Sequence, residues 1–271
     1  MKFFRNRIFV IIAVIIFYIL TVIFNVFNGT PKSQLLAREG IIDLVNWDFK
    51  KDGVVSLDGE WEFYWNQLLT YEDFHKEVPI KPDGYFKVPS VWTNYDLNGN
   101  KLPANGCATY RLRIKTNDIN SIKGLKILTS STSYKLMINN QVIAESGMVG
   151  NTKETSIPEF SPQTVSFQNS SKDFEVIVQV ANFTYSRGGM WHSIYMGDDS
   201  DIRKLKEFDS GKAMFMFGVT LIMALYHINL FLLQKRTKAA LYFGVLLLIV
   251  AIRITITGEY LILNFIPAAS I

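Results

Sequence analysis

The chain has 271 residues, of which 49% are hydrophobic and 19% charged, with a net charge of +4. This length allows one large domain or two smaller ones. Cys107 is the single cysteine and excludes an intrachain disulfide, so a domain outside the cytoplasm would have to rely on its hydrophobic core.

The overall composition is an average over uncharged apolar segments and more polar segments. Residues 9–27, 213–233 and 239–252 contain no charged side chain. About 20 apolar residues are needed to cross a bilayer, and the first two stretches reach that length. The third reaches it when it extends through Arg253 to residue 257. We therefore predict a transmembrane anchor helix at 9–27 and two further transmembrane helices at 213–233 and 239–257.

Basic residues indicate the orientation of these helices. They lie within residues 1–8, before the first helix, and at Lys235, Arg236 and Lys238, between the second and the third. In short segments an excess of Lys and Arg marks the cytoplasmic side. The sequence thus predicts a multi-pass protein of the cell membrane, with a cytoplasmic tail at 1–8 and residues 28–212 outside the cytoplasm. A cleaved signal peptide is the alternative for 9–27, but this run is longer than the 7–15 apolar residues usual there.

The middle of the chain predicts a β domain. After a linker at 28–45, short runs of alternating apolar and polar residues cover 57–65, 108–114, 134–138, 141–145 and 174–180. Turn-rich segments separate the runs at spacings typical of β-sandwiches, and Asn139-Asn140 suits a two-residue hairpin turn because Asn tolerates positive φ. We predict an all-β domain at 46–200, followed by a charged coupling segment at 201–212 that runs into the second helix.

Three motifs in this domain follow each other at the spacing of a known fold. They are LDGEWEF at 57–63, VPSVW at 88–92 and GCATYR at 106–111. With the hairpin at 137–140 and the stretch from Asn182 to Gly197, they resemble the N-terminal sugar-binding domain of glycoside hydrolase family 2. The resemblance implies a galactose-binding-like jelly roll. In those hydrolases a second sandwich and a catalytic barrel follow, whereas here a membrane helix follows, so we expect no enzyme activity.

The combination of anchor helix, jelly roll and further membrane helices is similar to bacterial seven-transmembrane receptors with diverse intracellular signalling modules. Residues 247–258, with Arg253 and Thr257-Gly258, resemble the third helix of that family. The resemblance implies a receptor that senses an extracellular ligand, often presumed to be a carbohydrate. Such a receptor passes the signal to a kinase, cyclase or phosphatase. Residues 258–271 would begin an incomplete bundle, with the output module missing or separate. The alternatives are a membrane-tethered carbohydrate-binding module without signalling and a degenerate glycoside hydrolase family 2 relative.

Two loop segments combine aromatic and polar side chains in the way that ligand sites do. The predicted ligand-binding residues are Trp92, Tyr95, Asp96, Arg187, Trp191 and His192. The guanidinium of Arg187 is suited to a carboxylate or to a pair of hydroxyls. The alternative is that both tryptophans plug the ends of the sandwich, while Gly188-Gly189 simply makes a tight turn.

Catalytic and metal-binding patterns are weak. Glu60 and Glu62 share one strand face and could imitate the carboxylate pair of a hydrolase, but the alternation favours a solvated face opposite the core tryptophans. The histidines lack metal-ligand spacing, so we predict no catalytic residue, no metal site and no cofactor. A structural calcium at residues 96–100 is kept as an alternative, because oxygen ligands alternate there, although the spacing departs from an EF-hand.

Polar residues inside the predicted membrane helices usually face other helices. His227 and Asn229 lie within the second helix and Arg253 toward the outer end of the third. A histidine packed in a helix bundle is the simple interpretation of His227, whereas Arg253 calls for an acidic or carbonyl partner or a water-filled cavity. The expected partners are thus the membrane, a saccharide and an intracellular signalling module, with no nucleic acid.

Overall fold

A computed structural model of the chain describes residues 35–234 and 238–264. The predicted tail at 1–8, the anchor helix at 9–27 and the first part of the linker lie outside the described residues, as do Lys235 and Arg236. The described residues belong to one compact unit. Within it we call residues 35–198 the β domain, and two long helices follow.

The β domain is built mainly from two sheets, as the alternating runs predict. Its strands are β1 (Ile41–Leu44), β2 (Val55–Ser56), β3 (Gly59–Trp65), β4 (Gly84–Val88), β5 (Ser90–Val91), β6 (Asp96–Leu97), β7 (Asn100–Lys101), β8 (Gly106–Thr116), β9 (Ser121–Ile127), β10 (Ser133–Ile138), β11 (Gln141–Ser146), β12 (Gln163–Asn169), β13 (Asp173–Asn182), β14 (Gly189–Met190) and β15 (Tyr195–Asp198). The larger sheet has the order β11-β10-β13-β8-β3-β4, with β1 parallel to β8, and the smaller has the order β12-β9-β15-β2. Separate short pairings join β5 to β14 and β6 to β7. Short helical elements are α1 (Phe49–Asp52), α2 (Tyr71–Phe74) and 3-10 turns at Trp92–Asn94 and Leu261–Asn264.

The two sheets bury one shared hydrophobic core, which is the physical reason for the alternation. Trp61 and Phe63 of β3 and Val178 of β13 belong to the same cluster of buried residues as Leu125 of β9. The predicted hairpin is present as β10 and β11, with Asn139 in its turn at a φ of 49°. A mostly β domain of two sheets is therefore confirmed, while the jelly-roll connectivity stays a prediction.

The second face of the larger sheet is covered, so the predicted solvated face is wrong for this part of the sheet. Residues 67–80, which include α2, pack over it through a second cluster of buried apolar side chains. Beneath them Glu62 is 5% exposed. It accepts hydrogen bonds from Arg111 at 3.2 Å and from the Tyr64 hydroxyl at 2.9 Å. Burying a carboxylate is tolerated only with such partners, and strand alternation alone does not reveal them.

Two long helices, α3 (Asp199–Gln234) and α4 (Lys238–Thr255), follow the β domain. Both are long and apolar enough to cross a membrane, and almost none of their residues is buried. The 36 residues of α3 span about 54 Å at 1.5 Å per residue, more than the ~30 Å hydrocarbon core of a bilayer. The helix therefore includes both the predicted coupling segment at 201–212 and the predicted span at 213–233.

The two helices run antiparallel and touch through small residues. Gly244 of α4 lies against Ala224 and Ile228 of α3, and a Cβ added there would be 3.0 Å from the Ala224 carbonyl oxygen. Nearby, the rings of His227 and Phe243 are 4.8 Å apart. Small residues let helix backbones approach closely, as in many helix contacts within membranes.

The start of α3 is fixed to the smaller sheet. β15 ends at Asp198 and α3 begins at the next residue, so that strand passes into helix without a loop. Ile202 packs on Gly124 of β9, where an added Cβ would lie 2.8 Å from the Ile202 Cβ. The buried Lys123 of β9 donates to Asp198 at 2.6 Å and also to Asp118. The directions of β15 and α3 are therefore coupled.

A second buried lysine of β9 is paired with α3 and with the segment that follows α4. The Lys126 side chain is 3% exposed, and its Nζ lies 2.5 Å from Asp209 of α3 and 2.6 Å from Glu259, which follows α4. We call these three residues the Lys126 junction. A buried ammonium without such partners would be strongly unfavourable, so the junction holds β9, α3 and the end of α4 together.

Candidate ligand-binding cleft

An open cleft of about 320 Å³ lies beside the short pairing of β5 with β14. Its wall is formed by Ser90, Val91, Asn94, Tyr185, Arg187 and Trp191. The volume falls at the lower end of ordinary small-molecule sites, roughly 300–1,000 Å³. The wall combines two aromatic rings, a hydroxyl, an amide and a guanidinium, and none of its six residues is acidic.

Buried polar side chains hold the loop between β13 and β14, which supplies much of the wall. Asn182 is fully buried, donates to the Tyr185 carbonyl at 2.8 Å and accepts from the Tyr185 N–H at 3.0 Å. Ser131 donates to the Arg187 carbonyl at 2.7 Å. The loop backbone is fixed while the Tyr185 and Arg187 side chains remain exposed, which favours binding because little ordering entropy is left to be lost.

Trp92 supports this loop from beneath. Its ring has no exposed surface, and its Nε1 donates to the Pro103 and Ala104 carbonyls at 2.9 and 3.2 Å. A Cβ added to Gly188 would lie 2.0 Å from the Trp92 ring, so the tight turn needs glycine there. A ring without exposed surface does not touch a ligand. The position of Trp92 is therefore that of the alternative, in which it plugs the end of the sandwich. The prediction that Trp92 contacts a ligand is wrong.

Of the other predicted ligand residues, the structure brings Arg187 and Trp191 together in the cleft wall. Tyr95 is half-buried, stacks on a core phenylalanine with ring centroids 4.2 Å apart and donates its hydroxyl to a backbone carbonyl. Asp96 and His192 are exposed, and neither lines the cleft. Two of the six predicted ligand-binding residues therefore line the cleft.

Sequence reasoning missed Ser90, Val91, Asn94 and Tyr185 as wall residues. Ser90 and Val91 form β5, which is two residues long and gives no recognisable alternation. Asn94 and Tyr185 lie in the two loop segments, 92–96 and 185–192, that were selected for their composition. Their closeness in sequence to Trp92 and to Arg187 is the signal that could have identified them as wall residues.

The cleft wall contains a cation, Arg187, that has no acidic partner in the part of the chain that the structure describes. The guanidinium of Arg187 forms no ion pair with any carboxylate in residues 35–234 or 238–264. The indole Nε1 of Trp191 is buried and has no acceptor within the same ranges. The Tyr185 ring lies beside that indole, with centroids 5.3 Å apart. The exposed guanidinium favours a ligand that offers hydrogen-bond acceptors, whereas the Nε1 of Trp191 is buried and does not face such a ligand.

Residues 96–100 form the hairpin of β6 and β7. Asn98 and Gly99 have φ values of 52° and 80°, as the two central positions of a type I′ turn require. Across the part of the chain that the structure describes, no group of three or more His, Cys, Asp or Glu side chains is arranged to hold a metal ion. A calcium site built from Asn side chains and backbone carbonyls would not form such a group, so the calcium alternative stays a prediction.

The cleft neighbours the segment that follows α4. The ring of Tyr260 is nearly parallel to that of Phe160, with centroids 6.3 Å apart. Burial, and next the nearby Tyr185, raise the pKa of the Tyr260 hydroxyl. The adjacent Glu259 belongs to the Lys126 junction. A wall residue of the cleft therefore lies near the same short segment that binds β9.

The polar residues of the long helices have different surroundings. The His227 ring packs on Phe243, and its Nδ1 lies 2.9 Å from the Met223 carbonyl oxygen, which agrees with a histidine packed between helices. Asn229 and Arg253 are exposed. Arg253 forms no ion pair with a described residue, so its expected partner on another helix stays a prediction.

The fold and the cleft define a class of protein: a two-sheet β domain with a cationic cleft, joined through buried ion pairs to two apolar helices. No protein family matches the sequence, and no curated protein matches it.

Several solved structures are similar to the chain at low identity. A glycoside hydrolase family 2 β-galacturonidase from Eisenbergiella tayi is 14% identical with a TM-score of 0.37, over 54% of this chain and 24% of the enzyme. A β-glucuronidase from Ruminococcus gnavus is 14% identical with a TM-score of 0.38, over 53% and 27%. A family 2 member from Bacteroides cellulosilyticus is 11% identical with a TM-score of 0.39, over 53% and 20%. The chain spans about a quarter of the length of these structures, and similarity at this level says nothing about function.

Proposed function

We propose that this protein is a membrane-anchored sensor, in which the β domain binds a saccharide outside the cytoplasm and the helices carry the resulting change across the membrane. In this proposal residues 9–27, 213–233 and 239–257 cross the membrane and residues 28–212 lie outside. The composition of the cleft supports the ligand class. Aromatic rings suit the apolar face of a sugar, and the neutral polar groups of Ser90 and Asn94 suit its hydroxyls.

The observation that carries the sensing role is the Lys126 junction. A domain that is merely tethered needs only a flexible linker to a membrane helix. Here one buried lysine is paired at once with Asp209 of α3 and Glu259 beyond α4. A ligand that changes the position of Tyr185 would act near Tyr260, next to a residue of the junction. The size of the response is set by the difference between the ligand's affinities for the two states.

The positions of the charged residues support the proposed orientation. α3 begins at the end of β15, and the segment after α4 returns to β9, so both contacts lie on the side of the β domain. Lys235, Arg236 and Lys238 lie in sequence at the opposite ends of these helices. An outer β domain with basic residues on the far side is the arrangement that the positive-inside rule favours.

A membrane-tethered carbohydrate-binding module without signalling is the second candidate. The cleft fits that function equally well, but a tether gives the Lys126 junction no role. A degenerate hydrolase ranks lower, because Glu62 of the candidate carboxylate pair is buried and held by Arg111 and Tyr64. We therefore propose binding without catalysis. By its resemblance to seven-transmembrane receptors, the sensor would address an intracellular kinase, cyclase or phosphatase module.

The test uses the full chain in lipid nanodiscs with a panel of neutral and acidic monosaccharides and disaccharides at millimolar concentration. A sugar that raises the thermal midpoint is expected to reduce hydrogen exchange in residues 183–191 and to change it in residues 200–212 and 256–260. Lys126→Met should keep the first effect and lose the second, while Lys126→Arg should keep both.

Two results would count against the proposal. Protection of the cleft without any change in the helix segments would favour the tethered module. Absence of a shift with every sugar would contradict saccharide sensing.

A further inference from the structure

We propose that the saccharide bound in the cleft carries a carboxylate and that Arg187 binds this group. The inference rests on the function proposed above and narrows its ligand class to sugar acids such as uronates. Two observations carry it: an exposed guanidinium that pairs with no carboxylate in the described ranges, and a cleft wall in which no residue is acidic.

Arg187 and Arg38 are the two arginines of the β domain that pair with no carboxylate in the described ranges, and of these two only Arg187 lines the cleft. Arg111 and Arg113 both pair with Glu62, whereas Arg187 pairs with no carboxylate in the described ranges. Its charge is not neutralised by the cleft wall either, because no wall residue is acidic. A carboxylate can accept two parallel hydrogen bonds from a guanidinium, whereas a neutral sugar offers only hydroxyls.

The rest of the wall favours a sugar ring as the carrier of the carboxylate. Tyr185 and Trp191 present flat aromatic surface, and Ser90 and Asn94 place a hydroxyl and an amide in the same cleft. A simple carboxylic acid would leave these groups unused. The Arg187 carbonyl is held by Ser131, so the guanidinium extends from a fixed backbone position and can select one location on the ring.

The experiment is isothermal titration calorimetry on the full chain in nanodiscs. The probes are D-glucuronate and D-galacturonate, each compared with D-glucose or D-galactose, the neutral sugar that differs only at C6. The uronate is expected to bind at least about tenfold more tightly than its neutral counterpart, which corresponds to one charge-assisted hydrogen bond. Raising the salt concentration should weaken uronate binding and leave neutral sugar binding unchanged.

Arg187→Gln should remove this preference without changing the thermal midpoint, because the side chain is exposed and unpaired. Arg38→Gln is the matched control, since Arg38 is also exposed, forms no ion pair with a described residue and lies outside the cleft. It should preserve the preference.

The outcomes separate this inference from the broader proposal. Equal affinity for uronate and neutral sugar, unchanged in Arg187→Gln, would overturn the carboxylate assignment and leave saccharide sensing intact. Equal affinity for succinate, an acid without a ring, would overturn the sugar acid assignment. If no sugar binds at all, the inference and the proposed function both fail.

Discussion

The Nζ of Lys126 lies 2.6 Å from the Oε1 of Glu259 and 2.5 Å from the Oδ2 of Asp209, so that one side chain of a β-strand is paired with a residue of α3 and a residue of the turn after α4. Only the lysine belongs to the β domain. Because the lysine is buried, the carboxylates and the ammonium depend on one another for stability.

Replacing Lys126 with methionine is expected to lower the free energy of unfolding by about 3 kcal/mol. The substitution leaves two neighbouring carboxylates without their cation. Chemical denaturation of the full chain in nanodiscs would measure the loss. Lys204→Met is the control, because Lys204 is 72% exposed and pairs only with Asp201 in the next turn. Its effect should stay within about 0.5 kcal/mol, and equal losses in both variants would contradict a special role for the junction.

Gly244 and Gly218 offer a matched pair within the two apolar helices. Gly244→Leu should separate the helices and lower the thermal midpoint, because even a Cβ there would lie 3.0 Å from the Ala224 backbone oxygen. Gly218→Leu should leave the midpoint unchanged or raise it, since nothing lies within 4 Å of an added Cβ and leucine favours helix. A loss of the same size in both variants would indicate that helix packing is not responsible.

Gly188→Ala tests the support beneath the cleft. The added Cβ would lie 2.0 Å from the ring of Trp92, and overpacking of this kind costs about 1–3 kcal/mol. We expect lower stability and weaker sugar binding, measured by denaturation and by calorimetry. Gly211→Ala serves as control, because an added Cβ there meets nothing within 4 Å and alanine stabilises a helix by up to about 1 kcal/mol.

Asp118 makes part of the stability depend on pH. Burial acts to raise the pKa of its carboxyl, but hydrogen bonds from Lys123 and Ser121, together with the Lys123 charge, outweigh burial and hold the pKa below 3.8. A carboxyl with a lower pKa in the folded chain contributes stability that is complete above its unfolded pKa. This contribution is lost as the pH falls through the folded value.

The stability difference between the wild type and Asp118→Asn is therefore expected to be constant from about pH 7 to about pH 5. It should shrink as the pH falls below 3.8. Urea denaturation across this range measures it, and a difference that does not vary with pH would show that the ion pair with Lys123 is unimportant.

The sequence predicts those features that depend on periodicity and hydropathy. β3, β8 and β13 coincide with alternating runs because each has one face in the shared core. The helices follow from uncharged runs long enough to cross a bilayer, although α4 ends at Thr255 rather than at 257.

The same reasoning fails where distant segments meet. The burial of Glu62 depends on Arg111 and on the covering residues 67–80, whose single helix is four residues long. The cleft depends on the pairing of Val91 with Gly189, far apart in the chain and in strands too short to recognise. Arg187 and Trp191 were found because both belong to one short segment with an unusual composition.

The absence of a loop between β15 and α3 has a mechanical consequence. The helix α3 is continuous over about 54 Å and is fixed at its first residues to the smaller sheet. A rotation of α3 about those residues therefore moves its far end by a larger distance than its near end. A tilt of about 5° at that end displaces the other end by about 5 Å, close to one helical pitch. In the sensor proposed above, a partner at the far end of α3 would need only to distinguish positions about one helical turn apart.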